Sequence, residues 1–521
     1  MVQTIGEILP YAARRYGDKP ALAVGGKRLT FNELESLSNA LANGLVGAAI
    51  EPGDRVALYG PNSWEWLVAY YAIAKTGAVV IPINVMLTPE EVGYIVRDSG
   101  TKAVIAAPDK GGPLIELKGN GPLSHVVLWG EEDAPKGATA FGLWLRLGSP
   151  DFKAVPRDAK DMGAICYTSG TTGHPKGAMQ SHRSIVAAAK GIALMGTRTS
   201  ADTIVSPLPC PHVYGSIVFN AAVLYGSTLV LIPRFSEEAV LDAIQTHRAT
   251  MLDGVPTAYY YLLAHPKFDA YDLSSLTRCT VGGQTLPAAK SLEWAERTGA
   301  PVLELWGMTE LAGAATFNPY CGDNKPGTIG LPMPGMFCKI VDSADADKTL
   351  GPGERGELMV KGPLVMAGYF GNEQGTRETI RPDGWMHTGD IATVDDDGYY
   401  TIVDRKKDMI LTAGYNVYPA ELERVLCMHP SVALAAVCGV ADEAKGELAK
   451  AYIMLKPGAA ASGKELAEHC RRHLAAYKVP RAVQFVANVP ITSSGKIMRR
   501  LLRQVDDGTR LLGETRQTRP S

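Results

Sequence analysis

Residues 167–177 read YTSGTTGHPKG, which puts four Ser/Thr hydroxyls, three glycines and a lysine into eleven positions. Glycine lets neighbouring backbone N–H groups turn toward one centre, and the hydroxyls of Thr168, Ser169, Thr171 and Thr172 add donors. A nest of this kind binds anionic oxygens. Lys176 adds a mobile positive charge. The chemistry that suits the composition is the holding of a polyanion. The spacing G-x-x-G-x-x-K-G is not the Walker pattern G-x-x-x-x-G-K-[ST], so that nucleotide-binding fold is not assigned. A flexible Gly/Thr surface loop is the plain alternative. The buried strand expected directly before the stretch argues against it.

A cradle needs rigid elements behind it. GAICYTS (163–169) is an apolar run that delivers the chain into the loop. Similar runs stand at 55–60, 78–84, 103–107, 227–233, 250–256, 278–283 and 302–307. Several are continuously apolar, as parallel strands covered on both faces are. Helix starts lie between them. Thr88-Pro89-Glu90-Glu91 combines a capping hydroxyl, a first-turn proline and an answering carboxylate, and Thr30 with Glu33 repeats the device. From about residue 335 the chain alternates and turns often, with an Asp-Gly turn at 397–398, which predicts antiparallel strands. After Asp404 a smaller alternation of strand and helix follows, with a capping box at Ser462 and Glu465. The pattern predicts an α/β protein: a large N-terminal domain (1–403) of α/β subdomains plus a β-rich subdomain, then a small mobile C-terminal α/β domain (404–521) that ends in a loose tail.

Formal net charge is -2, which gives no general attraction to nucleic acid or anionic lipid. The eight cysteines form no C-x-x-C pair, so neither a zinc ribbon nor a thioredoxin motif is expected. Sparse cysteines suit reduced thiols in a cytoplasm, and the N-terminal sequence lacks the apolar core of a signal peptide. Residues 210–233 carry no formal charge and are long enough to suggest a membrane span. Asn220 and the Gly226-Ser227-Thr228 break favour a buried helix, a turn and a buried strand instead.

The opening stretch resembles the phosphate loop of the AMP-forming acyl-CoA synthetase superfamily, which also holds luciferases and adenylation domains. WGMTE (306–310), HTGD (387–390), DRKKDMILTAGYNVYPAELE (404–423) and PITSSGKIMRR (490–500) resemble further motifs of that family, in its order, and the likeness spans about 5–503. It implies two half-reactions. A carboxylate attacks the α-phosphorus of ATP to give an acyl-adenylate and pyrophosphate, and a CoA thiol then displaces AMP. Carried over, the resemblance assigns the β- and γ-phosphates to Thr168, Ser169, Gly170, Thr171, Thr172, Gly173 and Lys176. Mg2+ goes to Thr172 and Glu310, and the α-phosphate to Thr309. Trp306, where the family usually has tyrosine, would stack on adenine beside Gly307, with Gly283 and Gln284 at the adenine edge. Asp390 and Arg405 would hold the ribose. Lys496 would bridge carboxylate and α-phosphate. Rotation about the hinge Asp404 would replace Lys496 with the Gly414 segment for thioester formation.

The acyl pocket implied by the resemblance is lined by His212, Val213, Tyr214, Gly254, Val255, Gly282, Met308 and Ala312. These are mostly apolar or small, with no charge to pair with a second carboxylate or an ammonium group. Gly254, Gly282 and Gly283 are expected to leave room. The acid expected is therefore a medium- or long-chain fatty acid, in fatty acid metabolism. An aryl acid (hydroxycinnamate or benzoate), or an adenylating ligase with an acceptor other than CoA, are the alternatives. A non-catalytic adenylate-binding protein is the rival from another class, and Lys496 and Glu310 argue against it. The expected partners are a small carboxylic acid, ATP and CoA, with no nucleic acid and no integral membrane segment; a homodimer is left open.

Overall fold

The computed structural model describes residues 2–119, 121–130, 133–168, 175–405, 408–412, 415–442, 446–490, 497–499 and 501–502. Two compact units divide the chain. One holds Met1–Lys339, Met359–Thr388 and Asp395–Tyr400, and the other Ile340–Leu358, Gly389–Val394 and Thr401–Ser521.

The elements that bear on the site are, in chain order, β1 (Met162–Thr168), β2 (Lys176–Ser181), α1 (Val213–Tyr225), β3 (Met251–Gly254), α2 (Pro256–Ala264), β4 (Arg278–Val281), β5 (Val302–Trp306), β6 (Gly368–Tyr369), β7 (Met386–Val394), β8 (Tyr400–Arg405) and α3 (Pro419–Cys427). The first unit contains two large sheets. One runs in the order β6, β2, β1, then 79–83, 55–59, 101–106, 125–128 and 139–140. From β1 outward through 79–83 its strands are parallel, and β2 and β6 close it with antiparallel pairs. The other runs 331–332, 316–317, β5, β4, β3, 203–206, 228–231, 20–24, 27–30. Its centre is parallel, and both of its edges are antiparallel.

The apolar runs seen in the sequence are thus interior strands, and their side chains fill cores on both faces. Val205, Leu252, Cys279, Val281 and Val302 meet Trp294 and Tyr259 in one core, and Ala57, Ile81, Val104 and Ile165 meet in another. Each Val, Leu, Ile or Phe buried in this way contributes about 1.5–3 kcal/mol relative to exposure. Thr30, Thr88 and Ser462 form the three expected capping boxes. The 20–30 hairpin extends the second sheet through β-pairing with 228–231, which joins residues far apart in sequence.

Residues 210–233 form α1, a left-handed turn at Gly226 (φ 75°) and the strand Thr228–Leu231. Apolar residues surround α1 on all sides because nearly every position is buried. Asn220 stays in this helix through its partners: its amide donates to the Tyr70 hydroxyl (3.1 Å), and its carbonyl accepts from Tyr71 (3.2 Å). Among the described residues, no helix is long and apolar enough to cross a membrane.

The divisions between the units fall inside strands of the region 337–405, where 337–341, 356–361, β7 and β8 make a further sheet. Gly398 (φ 84°) turns the chain between β7 and β8, with its N–H on the Asp395 carbonyl (3.1 Å). The second unit has its own sheet (415–417, 410–412, 446–455, 432–442, with 482–485 beside 446–455) and its own core around Val425, Val437, Ile453 and Leu466. The Asp404 carboxylate accepts the Ala420 N–H (2.9 Å) in the first turn of α3, where the helix dipole favours an anion.

Candidate active site

The phosphate-loop candidate is the tip of a hairpin. β1 and β2 pair antiparallel with Tyr167 opposite Gly177 and Thr168 opposite Lys176, so both ends of the loop are held in register. The Thr168 hydroxyl donates to the Lys176 carbonyl (3.4 Å). A Cβ on Gly177 would stand 2.7 Å from Ile165 and 3.1 Å from the Tyr167 ring, so glycine is needed there for packing. Tyr167 is anchored in turn by Asp98 (2.5 Å). Ser169, Gly170, Thr171, Thr172 and Gly173 lie outside the described residues.

Three side chains converge beside the hairpin. The Lys176 amine sits 5.2 Å from the centroid of the Tyr369 ring, within cation–π range. The Tyr369 hydroxyl donates to Glu310 Oε1 (2.8 Å), and Glu310 is 7% exposed. Burial, and then the Glu310 carboxylate, push the Tyr369 phenol above its ordinary pKa, so it stays a donor at neutral pH. The Cys166 thiol, pushed up to about 12 by burial and then by Glu310, stays neutral. β6 places Tyr369 by pairing with β2, and the Met366 N–H on the Glu310 carbonyl (2.8 Å) ties the same segment to 309–311. The buried Gln180 amide donates to the Thr309 carbonyl (2.9 Å). Sequence reasoning missed Tyr369 and Gln180. Neither lies in a stretch with an unusual composition, and only strand pairing brings them in.

β5 ends at Trp306, which is 8% exposed. The following turn is tight. A Cβ on Gly307 would collide with the Gly313 carbonyl, and Ala312 adopts a left-handed conformation (φ 52°) that favours glycine. The turn holds Met308, Thr309 and Glu310 in one short loop, with Leu311 N–H on the Met308 carbonyl (3.0 Å). Two residues before Trp306, Glu304 is 4% exposed, and its Oε1 has no hydrogen-bond partner. Burial drives its pKa well above the ordinary carboxylate range. A charged residue inside VLELW was the available signal for it.

His212 caps α1. Its Nδ1 accepts the Tyr214 N–H (3.2 Å), which puts the proton of the neutral ring on Nε2. Val213 and Tyr214 are buried in the first turn of α1. Gly254 ends β3, and Val255 caps α2. The glycines do not leave the room expected of them. A Cβ on Gly282 would stand 2.6 Å from Leu305, and one on Gly254 would stand 3.1 Å from the Tyr259 ring, so neighbouring side chains fill that space. Gly283 takes φ 93°, which lets the chain turn out of β4 toward Gln284. Arg278 is committed to Asp202 (2.8 Å) and to the Gly196 and Thr197 carbonyls, so no second carboxylate finds it available.

Asp390, Asp404 and the backbone of Arg405 belong to the second unit. Asp390 is 8% exposed on β7, and next to it the Gly389 N–H donates to Glu357 (3.3 Å). Gly414 and Lys496 lie outside the described residues. Among the described residues, no group of three or more His, Cys, Asp or Glu side chains could hold a metal ion.

The model of the family described as "AMP-binding enzyme" matches residues 9–370, and that of its C-terminal domain matches 421–496. The chain belongs to the AMP-binding enzyme family. Its relatives include a long-chain-fatty-acid–CoA ligase of Bacillus subtilis (strain 168), 33% identical over 96% of this chain and 94% of that one. A feruloyl-CoA synthase of an Amycolatopsis species is 37% identical over 94% and 97%. The crystal structure of an anthranilate CoA ligase with anthranoyl-AMP superposes with a TM-score of 0.91 at 31% identity, covering 97% of each chain. The activity class is that of an ATP-dependent, AMP-forming acid–CoA ligase.

Proposed function

We propose that the Lys176–Tyr369–Glu310 constellation, with Thr309, is the adenylation centre of this AMP-binding enzyme. The juxtaposition of those side chains at the mouth of the β1–β2 hairpin carries the reading. A carboxylate oxygen of the acid attacks the α-phosphorus of ATP, the bond to the β-phosphate bridging oxygen breaks, and pyrophosphate leaves. Both partners are anions, so the centre must offset charge as the transition state forms. Lys176 and the hydroxyl-rich loop 168–173 serve the leaving phosphates. Glu310 offers a hard oxygen donor, oriented by Tyr369, and a single carboxylate beside phosphate and water oxygens suits magnesium. Thr172 would be its second protein ligand and Thr309 faces the α-phosphate. Trp306 and Gly307, with Gly283 and Gln284, take the adenine, and Asp390 and Arg405 take the ribose.

Lys496 then bridges the acid and the α-phosphate in the first half-reaction, and the segment at Gly414 replaces it in the second. There the CoA sulfur attacks the acyl carbon, the carbon–oxygen bond to AMP breaks, and the thiol proton is released. Asp404 is the hinge and 403/404 the functional domain boundary; the anchoring of Asp404 to the first turn of α3 supports its moving with the smaller domain. The acid is held beside His212, Val213, Met308 and Ala312, with Gly254, Val255 and Gly282 behind. Among the described residues no disulfide joins the cysteines, which fits a cytoplasmic enzyme.

Pyrophosphate release from ATP, with and without CoA, tests this across acids of different type. Release that needs an acid, and an acyl-CoA that appears only with CoA, is the expected result. Release that never yields an acyl-CoA would assign the acceptor to another nucleophile.

A further inference from the structure

Arg499 belongs to the basic run KIMRRLLR (496–503), which along the chain reads as a solvated face. Its side chain is nevertheless turned inward. It is 15% exposed, and that of its partner Glu423, on α3, is 13% exposed. The Arg499 Nη2 donates to both Glu423 oxygens (2.8 and 2.7 Å), and Nη1 donates to Asp408 Oδ2 (3.4 Å). Nε donates to the Val437 carbonyl (3.2 Å), while the Val437 N–H donates to Glu423 Oε1 (2.8 Å). Burial acts against the charged guanidinium, but the Glu423, Asp404 and Asp408 carboxylates outweigh it and hold its pKa above the ordinary value. A guanidinium suits this set of acceptors because it presents five N–H donors in one rigid plane. An ammonium is a single point on a flexible stem.

These contacts join separate parts of the second unit. Val437 lies midway along the pairing of 432–442 with 446–455, opposite Ala451. Glu423 stands three residues after Ala420, whose N–H is held by Asp404 (2.9 Å). Arg499 follows Lys496 by three residues, a span of at most about 11 Å of chain. The Met498 N–H donates to the Pro490 carbonyl (2.9 Å), so the two ends of the stretch 490–498 meet beside Arg499. Beyond Arg499, the Leu502 carbonyl accepts the Tyr452 hydroxyl (3.2 Å). The strands 410–412 and 415–417, on either side of Gly414, are held differently. Ile410 pairs with Val417, Thr412 with Tyr415, and Thr412 also with Gly446. Ladder hydrogen bonds place these strands, rather than the guanidinium.

We propose that Arg499 is a positioning residue for Lys496: it ties the lysine's segment through Glu423 to α3 and so to the hinge Asp404, and adenylate formation depends on this tie while thioester formation does not. The proposal rests on the adenylation reading given above. A catalytic group displaced by about 1 Å loses on the order of 10²-fold in rate.

The test measures each half-reaction with the purified full-length enzyme. Pyrophosphate release uses ATP, magnesium and whichever of hexadecanoate, benzoate and 4-hydroxycinnamate the wild-type enzyme prefers. Thioester formation uses CoA and the matching acyl-AMP. Arg499→Met alone leaves the Glu423 charge unpaired, so it is combined with Glu423→Gln, which keeps an acceptor for the Val437 N–H. The combined variant should form the adenylate about 10²-fold more slowly, with its Tm and its thioester formation near wild-type values. Arg499→Lys, which keeps the charge but not the fork, should recover part of the loss. A folded combined variant with wild-type adenylate formation, or with equal loss in both half-reactions, overturns the proposal. Should that variant fail to fold, Arg499→Lys decides: it must slow adenylate formation more than thioester formation, and equal effects on the two overturn the proposal. A wild-type enzyme that releases no pyrophosphate with any acid, or a Lys496→Ala enzyme that forms the adenylate at the normal rate, would instead sink the adenylation reading.

Discussion

At Glu310 and Lys176, opposite charges lie on either side of one tyrosine. The Tyr369 hydroxyl holds the carboxylate at 2.8 Å, while the lysine amine lies 5.2 Å from the ring centroid. The arrangement orients Glu310 without neutralising it, because a hydroxyl donates a hydrogen bond and no charge. Glu310→Gln should lower the rate of pyrophosphate release about 10²–10³-fold, as the loss of a group that stabilises developing charge does. Tyr369→Phe removes only the orienting donor and should cost about 10-fold or somewhat more, the worth of a hydrogen bond to a charged group. A single-turnover measurement with saturating ATP and acid reads both. A Glu310→Gln enzyme with the wild-type rate would remove this carboxylate from the chemistry. The glutamate itself was legible in WGMTE. Tyr369 was not, since 59 positions separate it from Glu310 and nothing local marks it.

The elements were legible where one kind of force dominates. Apolar runs became interior strands within one or two residues of their expected ends, and capping hydroxyls marked helix starts. What escaped lies toward the antiparallel ends of the two large sheets. β6 and the strand 316–317 have two residues each, and the six residues of β2 are of mixed polarity, so pairing with a neighbour rather than composition makes them strands. The same holds for His182, which opens the helix His182–Met195. Its Nδ1 accepts the Ile5 N–H (3.4 Å), which ties the N-terminal helix to this one. Burial, and then the Arg157 charge, push its pKa down to about 4 from an ordinary 6.5. Between those values the unfolded chain binds a proton that the folded chain refuses. Stability is therefore intact above about pH 6.5 and declines as pH falls toward about 4, by about 3 kcal/mol over the whole span. His182→Gln keeps an acceptor but cannot titrate. Thermal melts at pH 7 and pH 5 should show a smaller drop in Tm for this variant than for the wild type; equal drops would place the acid sensitivity elsewhere.

For the whole molecule, the decisive expectation concerns two half-reactions served by one centre. Lys496→Ala should abolish acyl-adenylate formation yet leave thioester formation from supplied acyl-AMP largely intact. Rapid-quench assays of each step check this, and equal loss in both would contradict the division of labour. The amino-acid sequence alone determined the family, the two-part α/β plan and the chemistry class. Phosphate-binding glycines and hydroxyls, a charged residue in a tight turn and continuous apolar strands are local requirements, and local requirements are written in consecutive residues. Only the tertiary structure decided what packs against the glycines of the expected acyl site. Gly254 and Gly282 read as spare room along the chain, yet Tyr259 and Leu305 occupy that room. Tyr214 reads along the chain as one more residue of the expected acyl pocket, yet its hydroxyl joins Thr280, Asp253 and Arg198, drawn from two strands and from the loop before residue 203. Steric closure and the avoidance of an unpaired buried charge depend on which side chains meet across the fold, and that follows from packing rather than from spacing along the chain.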